Sequence, residues 1–248
     1  MCMSLITGCR SSDSEVTSSV VEKPFSYIET EQKYSELDAA ITKAKNEDKL
    51  FLLVLGAYWC HDSEGLIDNF NKPELNRIIN NGFVSLFIDV GNYEDNRDIL
   101  ARFNYPAYFA TPTVLIIDPV NEQLLNESSL RIWQSADSVP YEEYLAYFAN
   151  AAQKGSSSQT PVPYHQQLQK FSETQTQRLV SAYAKLSPLM VLEERNQLED
   201  KQVFYDLWGE VRDYRNTLQK DLHALREEVR DNPNVNLTLP SYDAFSWE

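Results

Sequence analysis

The chain has 248 residues, of which 42% are hydrophobic, and a formal charge of −15. That length and apolar content suffice for a packed domain with an added element and exclude disorder throughout. A surface so acidic repels phosphate backbones, so nucleic acid is not expected as a partner.

The first residues read Met-Cys-Met-Ser-Leu-Ile-Thr-Gly-Cys. Ile6-Thr7-Gly8-Cys9 resembles a bacterial lipobox, in which an apolar residue and two small ones precede a cysteine that becomes lipidated. Ser11, Ser12, Ser14, Ser18 and Ser19 follow without Gly, Pro or aromatics, as a polar tether would. The apolar run before Cys9 is short and has no basic flank, unlike a full secretory signal. Residues 1–24 are therefore assigned to a truncated lipoprotein signal and tether, with an ordinary tail carrying a chance cysteine as the plainer alternative. No later stretch is long enough to span a bilayer, so a membrane partner is expected through the lipid anchor alone. The implied location is the periplasm-facing side of a bacterial cell envelope.

Residues 25–153 carry alternating helix and strand patterns. Leu37, Ala40, Ile41 and Ala44 place a helix over 31–46. The continuous apolar run Leu50–Leu55 predicts a strand buried on both faces. Gly56 to Cys60 turns out of it, and 63–71 reads as a helix with Leu66, Ile67 and Phe70 apolar. After Pro73, Leu75, Ile78 and Ile79 mark a further helical segment closed by Asn80-Asn81-Gly82. Residues 83–90 form a second apolar strand, 93–103 a polar helix with Ile99, Leu100 and Phe103 inward, and 113–117 a third strand. Residues 124–133 are expected to continue as an adjoining hairpin strand, and 141–152 as a helix through Tyr144, Leu145 and Phe148. This order describes an α/β fold with a mixed sheet flanked by helices.

Residues 154–163 form a Gly/Ser/Pro linker. Over 164–232 the apolar residues recur at steps of three and four, first Leu168, Phe171, Leu179, Tyr183 and Leu186, then Leu207, Val211, Tyr214, Leu218, Leu222, Leu225 and Val229. Pro188 is expected to break the pattern between them, and the two stretches predict a C-terminal helical hairpin. Its seam could pack on itself, on the α/β domain or on another chain, so a protein partner or self-association through it stays open. Residues 233–248 form an acidic, aromatic tail.

The chemistry concentrates at Trp59-Cys60-His61-Asp62-Ser63, which leaves a buried strand and opens a helix. Unpaired N–H groups and partial positive charge at a helix start favour thiolate, the reactive form of cysteine. About fifty residues later, Thr111-Pro112 leads into the third strand. These two features resemble the thioredoxin superfamily over residues 25–150, near to members with a Trp-Cys-His-Asp-Cys motif. The resemblance implies a thioredoxin-like fold, a cis-proline at Pro112 facing the cysteine, and Trp59, Thr111 and Pro112 as the substrate-holding residues.

Two departures agree with each other. Ser63 stands in place of the resolving cysteine, and Val54 in place of the acidic residue six positions before Cys60. One chain therefore cannot run a dithiol–disulfide cycle. What remains is monothiol exchange with protein thiols or mixed disulfides: Cys60 attacks, Ser63 donates to its thiolate, and a cationic His61 favours it. Beside this stand a leftover cysteine on a repurposed fold and a non-catalytic adaptor that binds an envelope protein through its groove or hairpin. No cofactor is expected. Cys60, His61 and Asp62 are too close in sequence to converge on one metal ion, and His165 and His223 are read as solvated surface residues. Asp89 and Asp95 are read as loop-capping carboxylates.

Overall fold

The computed structural model describes residues 24–29, 33–154 and 161–248. The Cys9 lipidation expectation and most of the 154–163 linker lie outside the described residues. In chain order the elements are α1 (Lys33–Glu47), β1 (Leu50–Gly56), α2 (His61–Phe70), α3 (Pro73–Gly82), β2 (Phe83–Asp89), α4 (Arg97–Ala101), β3 (Thr113–Asp118) and β4 (Gln123–Leu124). A 3₁₀ segment (Glu127–Ser138), α5 (Tyr141–Lys154), α6 (Gln166–Glu194) and α7 (Lys201–Asp231) complete them.

The sheet has the order β2-β1-β3-β4. β1 runs parallel to β2, with Leu53 opposite Leu86, and antiparallel to β3, with Leu53 opposite Leu115. Ile28 adds a parallel bridge outside β2 at Ile88. Every residue of β1 is buried, as its unbroken apolar run requires. Phe51, Leu53 and Leu55 face one core with Leu37, Ile41 and Ile99; Leu52 and Val54 face another with Leu66, Phe70, Ile79 and Phe148. The fold is the mixed α/β arrangement read from the sequence.

Three expected elements come out differently. The helix expected over 93–103 shrinks to α4, because Gly91 and Tyr93 take left-handed backbone (φ 53° and 65°) and hold that stretch as a loop. The strand expected over 124–133 stops at Leu124. The Asn126 amide there accepts from Ile116 N at 2.8 Å and donates to Val114 O at 2.9 Å. One side chain thus takes the β3 groups that a longer strand would pair, and Trp133 is carried on the 3₁₀ segment into the core. Pro188 does not break α6. A proline inside a helix removes one backbone bond and costs about 3 kcal/mol. The buried stripe Leu179, Tyr183, Leu186 and Met190 runs through it, and the helix ends only at Arg195.

The hairpin of α6 and α7 shares one apolar core with the sheet. Tyr183 stacks on Tyr93 at 4.5 Å and donates to Tyr108 O at 3.0 Å. Gln219 Nε2 donates to Tyr105 OH at 3.1 Å, and Arg215 Nη1 to Tyr93 OH at 2.7 Å. Glu127, on the 3₁₀ segment, pairs with both Arg226 and Arg230 of α7. His165 is not a free surface residue: its Nδ1 accepts from Leu168 N and caps α6, and its Nε2 lies 2.9 Å from Val235 O of the tail. The tail lies on the hairpin, where Phe245 and Trp247 stack at 4.3 Å beside Tyr214. Among the described residues no helix is long and apolar enough to cross a membrane.

Candidate active site

The chain leaves β1 at Gly56, a position that tolerates no side chain. A Cβ there would stand 2.4 Å from the Tyr27 ring. Tyr27 crosses this strand end, donates from its hydroxyl to Ser63 O at 3.1 Å, and accepts on its own carbonyl from Tyr58 OH at 2.9 Å. Burial pushes the Tyr27 phenol up, so it remains a neutral donor. The turn from β1 into α2 is thereby fixed from beneath.

Cys60 is the N-cap of α2, with extended backbone (φ −102°, ψ 114°), and its carbonyl accepts from Glu64 N at 3.0 Å. Its side chain does not bond the helix start. It crosses to the loop before β3, where Sγ donates to Thr111 O at 3.0 Å. The Thr111–Pro112 peptide is cis, as the resemblance implies. Thr113 Oγ1 donates to Ala110 O at 2.7 Å and ties the same loop to itself. The two motifs, far apart in sequence, thus meet at one sulfur. Cys60 is half-buried, and it is the free cysteine of the described residues.

The neighbours of Cys60 are placed less as expected. Ser63 is fully buried, and its Oγ accepts from Ala57 N at 3.3 Å. That bond braces the turn, and the Cys60 sulfur is bonded to Thr111 O. His61 points to solvent, 78% exposed, with Nε2 3.3 Å from Asp62 Oδ2. Its charge when protonated is met by Asp62 rather than directed at the sulfur. Asp62 in turn accepts from Asp137 N at 3.1 Å and anchors α2 to the 3₁₀ segment. Val54 is buried with Leu66 and Tyr27, so apolar packing fills the place of the relay carboxylate.

Trp59 is held from three sides. Its Nε1 donates to Gly91 O at 2.8 Å, and its ring lies 5.0 Å from Tyr93 and 5.8 Å from Trp208 of α7. The expected substrate-holding tryptophan is therefore partly covered by the chain's own hairpin. Asp89 Oδ1 accepts from Gly91 N at 2.8 Å and sets the turn that presents this carbonyl. Burial, helped by Glu29 and Glu94, raises the Asp89 carboxyl. Asp95 is held below the ordinary carboxylate range by its hydrogen bonds from Arg97. Both carboxylates cap loops, as read from the sequence.

Tyr27, Tyr93 and Trp208 belong to this site and carry no motif. For Tyr27 the adjacent Gly56 was a signal, since a glycine closing an apolar strand marks a close approach. Trp208 had none beyond an aromatic next to the helix stripe. Among the described residues no group of three or more His, Cys, Asp or Glu is placed to hold a metal ion.

Residues 32–119 match a family model described as thioredoxin-like. Among solved structures, a disulphide isomerase from Xylella fastidiosa Temecula1 is similar at 22% identity, over 50% of this chain and 94% of that one, with a TM-score of 0.46. No curated protein matches the chain.

Proposed function

The α/β part of this chain is thioredoxin-like, and from that premise we propose that the protein performs monothiol thiol–disulfide exchange through Cys60. The observation that carries this is the partly buried Cys60 at the start of α2, whose sulfur lies 3.0 Å from Thr111 O of the loop before β3. In the forward step Cys60 releases its proton and its sulfur attacks a disulfide R–S–S–R′. A Cys60–S–S–R bond forms, the S–S bond of the substrate breaks, and R′ leaves as thiolate to take up a proton. An external thiol R″–SH then attacks the mixed disulfide, restores the Cys60 thiol and leaves as R–S–S–R″. No net oxidant is consumed, and no second cysteine of the chain is required.

Ser63 and Tyr27 act here by fixing the turn that aims Cys60, and Trp59 and the Thr111–Pro112 backbone form the rim of the site. Lipidation of Cys9 belongs to the same reading. It would hold the domain in a bacterial envelope, where an oxidising compartment supplies disulfides. Feeding cells a fatty-acid probe should label the chain, and Cys9→Ala should abolish the label; an unlabelled chain removes the anchor.

The test of the exchange is direct. The folded protein, mixed with a chromogenic aromatic disulfide, should form an adduct at Cys60, distinguished from any at Cys2 and Cys9 by peptide mapping, and added thiol should reverse it. Cys60→Ser should give none at that position. An adduct that forms only after denaturation rejects the activity, because a buried thiol is inert.

A further inference from the structure

Arg215 of α7 carries its charge into the interior. The residue is half-buried, and its Nε is covered and has no hydrogen-bond partner. Nη1 donates to Tyr93 OH at 2.7 Å, and the guanidinium carbon lies 5.6 Å from the centre of the Tyr93 ring. Among the described residues the charge faces the Tyr93 and Tyr183 phenols, and no carboxylate pairs with it. A desolvated cation met only by neutral groups is costly, and an apolar side chain of similar length would fill the space at less cost. Packing alone therefore does not account for an arginine here.

What it holds is strained. Tyr93 is buried, yet its backbone is left-handed (φ 65°), which a bulky side chain rarely adopts. Such a residue persists only where its surroundings fix it, and residues of this kind gather at functional sites. Tyr93 is fixed by Arg215 at its hydroxyl, by the Tyr183 ring of α6 stacked at 4.5 Å, and by the Trp59 ring at 5.0 Å. Gly91, two residues earlier and also left-handed, offers its carbonyl to Trp59 Nε1 at 2.8 Å. One short loop thus sets both the ring and the indole N–H of Trp59, and Trp59 directly precedes Cys60.

We propose that Arg215 is a positioning residue of the exchange site: by holding the Tyr93 hydroxyl it fixes the Trp59 ring, against which a polypeptide disulfide is presented to Cys60. This rests on the exchange activity above, and it makes the hairpin part of the active unit. The action of Arg215 passes through Tyr93. Without that bond the strained loop relaxes and the Trp59 ring moves with it. A small disulfide needs little more than the sulfur, so it is affected less than a polypeptide lying across the rim.

The test uses the full chain and two disulfides that release the same chromogenic aromatic thiolate. One is the symmetrical aromatic disulfide, and the other is a short peptide whose single cysteine carries that thiol. The rate at Cys60 is the difference from Cys60→Ser. Arg215→Met and Tyr93→Phe, which keep the bulk and lose the bond, should each slow the peptide at least fivefold more than the small disulfide. Arg215→Lys, which keeps a charged donor, should return the peptide rate to within threefold of the parent's. Arg215→Met/Tyr93→Phe should be no slower than the slower single variant, because the same bond is lost in each. In proton NMR the Trp59 indole N–H should exchange with solvent at least tenfold faster in Arg215→Met, a readout that does not involve the thiol. Parental peptide rates in both single variants, equal slowing of the two disulfides, or multiplied losses in the double variant overturn the proposal. Should Arg215→Met fail to fold, Tyr93→Phe and Arg215→Lys decide it by the same rates. The two failures are distinct: a parent unreactive at Cys60 rejects the exchange reading, whereas an unchanged indole exchange rate in Arg215→Met rejects the positioning.

Discussion

Glu127 is one point at which α7 is fastened to the α/β domain, and replacing it should loosen the hairpin more than replacing Arg230. Its side chain is 9% exposed and lies between Arg226 and Arg230, themselves 12% and 11% exposed. Arg230 Nη2 donates to Glu127 Oε2 at 2.8 Å, and Arg226 Nε lies against Oε1. Glu127→Gln keeps the shape and removes the one negative charge shared by two buried cations. Breaking a buried pair from one side costs about 3–5 kcal/mol, because the remaining charge stays desolvated. The lower end applies here, since Arg226 keeps Asn104 O at 3.0 Å and Arg230 keeps Glu227. Against a total stability of about 5–15 kcal/mol this is a large fraction. Arg230→Gln should cost less, about 1.5–3 kcal/mol, the range for one hydrogen bond to a charged group. Urea unfolding gives both values, and hydrogen exchange should show the added opening at the C-terminal half of α7 before the strands. A Glu127→Gln loss under about 1 kcal/mol would mean that water screens the trio as it screens a surface pair, and the fastening argument would then be wrong.

The sheet was legible because burial on both faces leaves a plain mark. Leu50–Leu55 and 83–90 are nearly unbroken apolar runs, and no amphipathic helix of that length reads the same way. The failures share a cause: a side chain or backbone conformation that overrides the pattern. Asn126 ends β4 with its own amide, and a single asparagine looks like any turn residue until its partners on β3 are known. Pro188 reads in the sequence as a break, while the buried stripe that carries α6 through it becomes decisive only with the sheet beneath.

The site was legible where chemistry and local structure coincide in sequence. A cysteine at a helix start and a Thr-Pro before a strand are short motifs, and the fold brings them to 3.0 Å. The direction of each neighbour was not legible. Ser63 and His61 flank Asp62 in one turn, yet one is buried as a brace and the other faces solvent, because their positions on α2 differ by about 200°, just over a half-turn. Trp208 was out of reach for another reason. Nothing local links residue 208 to residue 59, and the contact exists only because α7 docks across Tyr93 and Tyr183.

Three further outcomes are expected. Trp208→Ala should cost about 2 kcal/mol in urea unfolding, roughly half the loss for a fully buried aromatic, since the ring is only half-buried; the remaining tryptophan emission should shift to the red, and unchanged emission would contradict the Trp59 contact. Hydrogen bonds from Arg178 hold the Glu248 carboxyl down to about 2 from an ordinary 4.5, so the stability this pair gives the tail is present above pH 4.5 and lost as pH falls towards 2. Protease sensitivity of the tail should rise in that window and already be raised at pH 6 in Arg178→Ala; equal sensitivity of the two proteins at pH 6 would refute the clamp. Asp89 has the opposite sign: burial raises its folded carboxyl above the unfolded value of 3.8, so the folded state binds the proton more tightly and stability falls as pH rises from there through the raised value. Asp89→Asn keeps an oxygen for Gly91 N and removes the buried charge, so its Tm should exceed the parent's at pH 7 and converge with it near pH 3; a lower Tm at pH 7 would show that the charge itself holds the turn presenting Gly91 O to Trp59.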